Sequence, residues 1–158
     1  MRTPANIARH PIHPMLVPLP IGMWILSLAC DIIAAFSANP ATWKIVALYA
    51  MVGGIIGALA AAVFGLIDLL SLPDEVRSTA IAHMSINLTI VVLFVINAWV
   101  RIASADAGAG SAWLVWLSVI AIALLVVSGW LGGKMVYRYG VAVDTETICG
   151  NPPPPRRG

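Results

Sequence analysis

His10-Pro-Ile-His13-Pro-Met-Leu-Val-Pro-Leu-Pro-Ile-Gly22 stands directly in front of an apolar run that continues to Phe36. The stretch carries two histidines and four prolines, and the run behind it is long enough to cross a membrane. A proline lacks a backbone N–H and discourages helix at the residue before it. The expectation is a stiff, extended or broken lead-in that holds His10 and His13 at one depth, at the mouth of a transmembrane span.

Working outward from that span, three more apolar stretches follow, so that four are expected at about 14–36, 45–70, 78–101 and 111–133. A bilayer core takes roughly 20 apolar residues per helix, and each stretch meets that length. The composition agrees. The chain is 60% hydrophobic and 10% charged, with a mean hydropathy of +0.93, whereas a soluble domain is about a quarter charged. With so little of these 158 residues outside the spans, no soluble catalytic domain is expected among them. The reading is an all-α, integral membrane four-helix bundle, with an interfacial lead-in over 1–13, the helical domain over 14–140 and a disordered tail over 141–158.

Charge placement gives the expected orientation. Arg2, Arg9, Arg77, Lys134, Arg138, Arg156 and Arg157 fall on one side of a four-span topology, and Lys44 and Arg101 on the other. The basic side of a multi-pass protein is the cytoplasmic one, so both termini are expected to be cytoplasmic, in a bacterial inner membrane. No basic cluster is large enough for nucleic acid. The lipid bilayer is the first partner, with a redox partner protein or a second copy of the chain as further ones. Cys30 and Cys149 lie on opposite faces of this topology and make no disulfide. Leu28-Ala29-Cys30 echoes a lipoprotein cleavage site, but the prolines at 14, 18 and 20 and the following Asp31 suit cleavage poorly.

The spans carry a few informative side chains. Gly53, Gly57, Ala61 and Gly65 repeat every four residues, a spacing that puts small side chains on one helix face and lets a neighbour approach closely. Asp68 continues that face. His83, Asn87, Ile90, Phe94 and Asn97 share one stripe of the third span, and its polar members should face protein, because each costs free energy in hydrocarbon. Ser78 or Thr79 is the expected cap of that helix. Gly129 and Gly133 repeat the small spacing in Ser128-Gly-Trp-Leu-Gly-Gly133. Asp31 lies 18 residues beyond His13, roughly 27 Å higher. It reads as an interfacial acid that reaches water or pairs with Lys44 or Arg101. Trp43, Trp99, Trp113 and Trp116 suggest an outer aromatic belt, and Trp130, Tyr137 and Tyr139 an inner one. Asp106-Ala-Gly-Ala-Gly110 reads as an outer turn.

Depth then groups His10, His13, Asp68 and His83 within one or two turns of the cytoplasmic boundary, level with glycines 65, 129, 132 and 133. Bare backbone at that level would leave room for a partner helix or a flat cofactor. Three readings compete. In the first, the histidines and Asp68 pair with each other and with freed carbonyls, and fix the helix ends. In the second, a haem b is held by two imidazoles, His83 with His13 or, as the lesser choice, His10. Arg77, Lys134 or Arg138 would then meet the propionates, and Asp68 or Asn87 would orient an imidazole. In the third, His10, His13, His83 and Asp68 hold a transition metal or relay protons. No hydrolase triad, phosphate loop, CxxC motif or dinucleotide fingerprint is present. The preferred function is a membrane redox component that passes or stores electrons through His13 and His83 and is not a complete enzyme alone. The alternative is a structural or partner-binding membrane protein without cofactor.

The opening stretch 10–22, Gly65-Leu-Ile-Asp68, the start of the third span with His83 and Asn87, and Ser128-Gly-Trp-Leu-Gly-Gly133 with Tyr137-Arg138-Tyr139-Gly140-Val141 together resemble the bacterial membrane proteins grouped as domain of unknown function 2231. The resemblance covers nearly all of 10–143. It implies a four-span bundle of unassigned activity. Relatives of that family occur beside Rieske-type or cytochrome c modules, an association that leans toward redox work without giving a mechanism.

Overall fold

In a computed structural model of the chain, residues 3–8, 10–104 and 112–143 are described. The expected Asp106–Gly110 turn, Cys149, most of the tail, and Arg2, Arg9, Arg156 and Arg157 lie outside them. The element order is β1 (Asn6–Ile7), β2 (His10–Pro11), α1 (Ile12–Leu16), α2 (Pro18–Phe36), α3 (Pro40–Leu70), α4 (Asp74–Ala103) and α5 (Ala112–Tyr139). Four helices are long and apolar enough to cross a membrane, the first counted from Ile12 through Phe36.

The lead-in is more regular than the prolines suggest. β1 and β2 pair antiparallel, Asn6 with Pro11 and Ile7 with His10, and Ala8 turns the chain at φ 51°. His13 already lies in a helical turn. Pro14 falls within the first turn of α1, where an N–H has no intrahelical acceptor, so its missing donor costs little. Val17 N–H to the His13 carbonyl (3.1 Å) and Ile21 N–H to the Val17 carbonyl (3.4 Å) carry the chain from α1 into α2 past Pro18 and Pro20.

Helix ends depart from expectation for equally local reasons. Pro40 opens α3 as its first residue. α4 starts at Asp74, not at a Ser78 or Thr79 cap. Pro73 precedes it without a side-chain cap, and Asp74 and Glu75 occupy the first turn, where the helix dipole favours acids. α5 runs through Gly132 and Gly133 to Tyr139. It stops at Gly140, whose φ of +62° a side chain would resist and whose N–H bonds the Val136 carbonyl at 3.0 Å.

The small-residue ladder of α3 faces α1 and α2. A Cβ at Gly53 would meet Met23, one at Gly54 the Trp24 indole, and one at Gly57 Leu19. Bare backbone there lets α2 lie close, in a setting where no hydrophobic effect separates helix from lipid. The core centres on Trp24 stacked on Phe94, ring centres 4.5 Å apart, with Met51, Ile90, Ala98 and Ala121 around them. A second cluster of Leu72, Val76 and Ala80 sits under Met135, Tyr139 and Val141.

These contacts define two ends. One, here called the foot, joins the lead-in, the end of α3, the start of α4 and the end of α5. The head joins the ends of α2 and α4 to the start of α5. Both ends of the described chain are therefore at the foot. Trp99, Trp113, Trp116, Trp130 and Tyr137 are exposed at the surface, as belt residues should be.

Candidate functional site

Polar side chains inside the bundle form two layers, one at each end. The head layer is an ion pair. Arg101 donates from Nη1 and Nη2 to the two carboxylate oxygens of Asp31 at 2.7 and 2.6 Å, and both side chains are buried. Arg101 Nε donates to Asn97 Oδ1 at 2.8 Å. Asn97 Nδ2 in turn donates to the Leu114 carbonyl (2.8 Å) and to Ser118 Oγ (2.9 Å). One chain of hydrogen bonds thus ties α2, α4 and α5. Of the two expected partners of Asp31, Arg101 is the one found. The expectation that the acid reaches water is corrected, because the bidentate partner supplies the stabilisation that water would.

The foot layer contains His13 and His83. Ala61 and Gly65 place His13. Its Nδ1 lies 2.8 Å from the Ala61 carbonyl, and a Cβ at Gly65 would stand 2.9 Å from the ring. A carbonyl oxygen only accepts, so Nδ1 carries the proton and Nε2 the lone pair. His83 is set the same way against α5. Its Nδ1 donates to the Ser128 carbonyl at 2.9 Å, with Ser128 Oγ at 3.0 Å, and the ring lies over Gly132, where a Cβ would come within 3.5 Å. The two rings stand 6.5 Å apart, centre to centre, at an interplanar angle of 88°.

Gly65 and Gly132 therefore seat imidazoles, and the room they leave is already taken by His13 and His83. Gly129 and Gly133, expected at the same level for the same purpose, have nothing within 4 Å of where a Cβ would be. Asn87 reaches His83 from one turn further along α4. Its Nδ2 lies 3.1 Å from His83 Nε2 and 2.8 Å from the His83 carbonyl.

The other expected site residues lie apart from this pair. His10 is exposed, and its Nδ1 bonds the Ala8 carbonyl of its own hairpin at 3.0 Å. Asp68 is buried, and its Oδ1 accepts the Ala5 N–H at 3.0 Å, which pins the lead-in to the end of α3. Among the described residues no group of three or more His, Cys, Asp and Glu is placed to hold a metal ion. The expected grouping of His10, His13, His83 and Asp68 is thus reduced to His13 with His83. Arg138 is exposed and rests over the Tyr139 ring at 6.0 Å. Arg77 pairs with Asp74 at 3.1 Å on the surface.

Sequence reasoning missed Ser128 as the partner of His83, the Ala61 carbonyl as the partner of His13, and Ser118 in the head layer. Ser128 had a visible signal, a hydroxyl beside glycines at the depth of His83. A backbone carbonyl offers none, since every residue has one.

A family model described as "Predicted membrane protein (DUF2231)" matches residues 9–145. No curated protein and no solved structure matches the chain. The chain belongs to this family of membrane proteins, as its four long apolar helices require.

Proposed function

We propose that this member of the DUF2231 family is an electron-transfer component of the bacterial inner membrane, with one haem b held between His13 and His83. The observation that carries the reading is the relation of the two imidazoles. Neutral imidazoles from two different helices would be suitable ligands for a haem iron, which would supply one-electron chemistry. The separation here is 6.5 Å, with the rings perpendicular. Each Nδ1–H is anchored on a backbone carbonyl, the outer hydrogen bond that metal-bound histidines usually make; Nε2 of each ring would be the ligand, and that of His83 now meets Asn87 at 3.1 Å.

Haem suits the pair better than a bare ion does. A structural zinc site takes four protein ligands and a catalytic one three, and the described residues offer no third His, Cys, Asp or Glu. A haem would need only His13 and His83 from the protein, and would supply electron transfer. Arg77, Lys134 or Arg138, all at the foot, would meet the propionates. Arg77, Lys134 and Arg138 at the foot, against Lys44 and Arg101 at the head, support a cytoplasmic foot. Arg101 is moreover neutralised by Asp31.

The second reading is a structural or partner-binding protein without cofactor. It is favoured by the stitching of each imidazole to a carbonyl of a neighbouring helix, which by itself fixes the foot. The absorption spectrum of the full chain, expressed with haem precursor and purified in detergent, decides between them. A Soret band that is absent in His13→Ala and in His83→Ala supports the haem. A colourless wild type free of bound metal by elemental analysis leaves the second reading.

A further inference from the structure

The foot of α5 has an outer side that the electron-transfer reading does not use. Met135 and Tyr139 pack against Val76 of α4. At 3.6 residues per turn, Trp130, Lys134, Tyr137 and Arg138 fall within one arc of roughly 100° that points away from that contact. Trp130 is 71% exposed and Tyr137 95%. Arg138 is exposed and Lys134 half-buried. Depth sorts the four. The 28 residues of α5 make about 42 Å of helix against about 30 Å of hydrocarbon, so the helix reaches into the headgroups. Trp130 lies about 26 Å along the axis from Trp113 of the head, at the opposite edge of the hydrocarbon. Lys134 and Arg138 follow one and two turns later. Side chains of a helix lean toward its N-terminus, so both cations lean back toward the membrane.

Their charge is unspent. Arg77 of the foot is paired with Asp74, whereas among the described residues neither Lys134 nor Arg138 makes an ion pair. Glu75, exposed on the first turn of α4, joins neither. The Tyr139 ring, 6.0 Å from the Arg138 guanidinium, steadies it at the surface. We propose that this side of α5 binds an anionic phospholipid of the adjoining leaflet, its phosphate between Lys134 and Arg138 and its glycerol end along Trp130 and Tyr137. The charges are complementary, and the aromatic rings lie at the depth where glycerol meets acyl chain. A zwitterionic phospholipid offers the same phosphate but carries its own cation beside it, which Lys134 and Arg138 repel. The site is independent of the haem reading, because a lipid phosphate there leaves the propionates to Arg77.

The test uses the full chain, purified in detergent without haemin. Native mass spectrometry follows the lipid retained on titration with phosphatidylglycerol, or with phosphatidylcholine of the same acyl chains. The wild type should hold phosphatidylglycerol at least about tenfold more tightly, since each surface cation contributes about fivefold. Lys134→Gln and Arg138→Gln should each weaken that binding about fivefold, and the double variant about 25-fold. Phosphatidylcholine should be unaffected in all three. Exchanging the cations, Lys134→Arg with Arg138→Lys, should preserve the preference. Lys44→Gln, at the head, should leave it unchanged. Equal retention of the two lipids by the wild type overturns the site without recourse to any variant. A loss in Lys44→Gln as large as that in Lys134→Gln also overturns it, because the attraction is then diffuse. Displacement of the lipid by an equal concentration of inorganic phosphate would assign the cations to a soluble anion, and overturns the lipid site as well.

Discussion

The His13 imidazole occupies the space that a side chain at Gly65 would need. A Cβ there would stand 2.9 Å from both Cε1 and Nδ1 of the ring. The ring cannot swing aside without breaking the 2.8 Å bond from Nδ1 to the Ala61 carbonyl. Gly65→Ala should therefore displace His13 and cost about 1–3 kcal/mol, the usual range for overpacking. Gly129→Ala is the control, because nothing lies within 4 Å of its Cβ position. Alanine there should be neutral or stabilising by up to about 1 kcal/mol through helix propensity. Thermal unfolding in detergent, followed by far-ultraviolet circular dichroism, compares the two.

The head ion pair should behave as a unit. Removing one partner strands the other charge inside the bundle, so Asp31→Leu or Arg101→Met alone should destabilise by about 3–5 kcal/mol. The double variant should recover a large part of that loss, since no buried charge is left. Urea or detergent-ratio unfolding of the four proteins of the cycle checks this. Additive losses in the double variant would contradict a coupled pair.

Asp68 holds the lead-in through a buried bond from the Ala5 N–H. Asp68→Ala should open the hairpin of residues 6–11 without unfolding the helices. Asp68→Asn keeps an acceptor oxygen and should largely restore it. The Ala5 amide is the reporter, with hydrogen-exchange protection expected to fall by about ten- to a hundredfold in Asp68→Ala, the equivalent of one lost buried partner.

Gly54 sits under the Trp24 indole, with a Cβ there 2.5 Å from Cδ1 and Nε1. Gly54→Ala should push Trp24 off Phe94 and off its 3.3 Å bond to the Met51 carbonyl. The near-ultraviolet circular dichroism of the stacked pair should diminish, and stability should drop by about 1–3 kcal/mol.

Which parts of this were readable in advance follows from how local each signal is. The four spans and the ladder from Gly53 to Gly65 are legible because length, composition and four-residue spacing are properties of one helix. The stripe from His83 to Asn97 is legible for the same reason. The meeting of His13 and His83 was readable only as a shared depth, since each lies a fixed distance from a helix end. The extended part of the lead-in is found at His10–Pro11, but His13 lies in a helical turn, because Pro14 falls in the first turn, where proline's penalty is small. Trp24 on Phe94, Asp31 on Arg101 and His83 on Ser128 join different helices, and no spacing along the chain encodes them. His10 and Asp68 share the depth of the pair, but each is engaged by the lead-in hairpin. A depth argument cannot detect that.

The clasp between Asp31 and Arg101 spans 70 residues, and a ribosome needs roughly 4 to 14 s to make that length. When Asp31 leaves the ribosome, the guanidinium that neutralises it has still to be made. An unpaired acid this close to the head end costs less than the roughly 2.5–3.5 kcal/mol of a charge at the helix centre. The hairpin of α2 and α3 thus reaches the membrane with its head-end acid unpaired, and α4 supplies the partner. A truncation before Arg101 should leave Asp31 without its partner and lower the stability of the helices that remain.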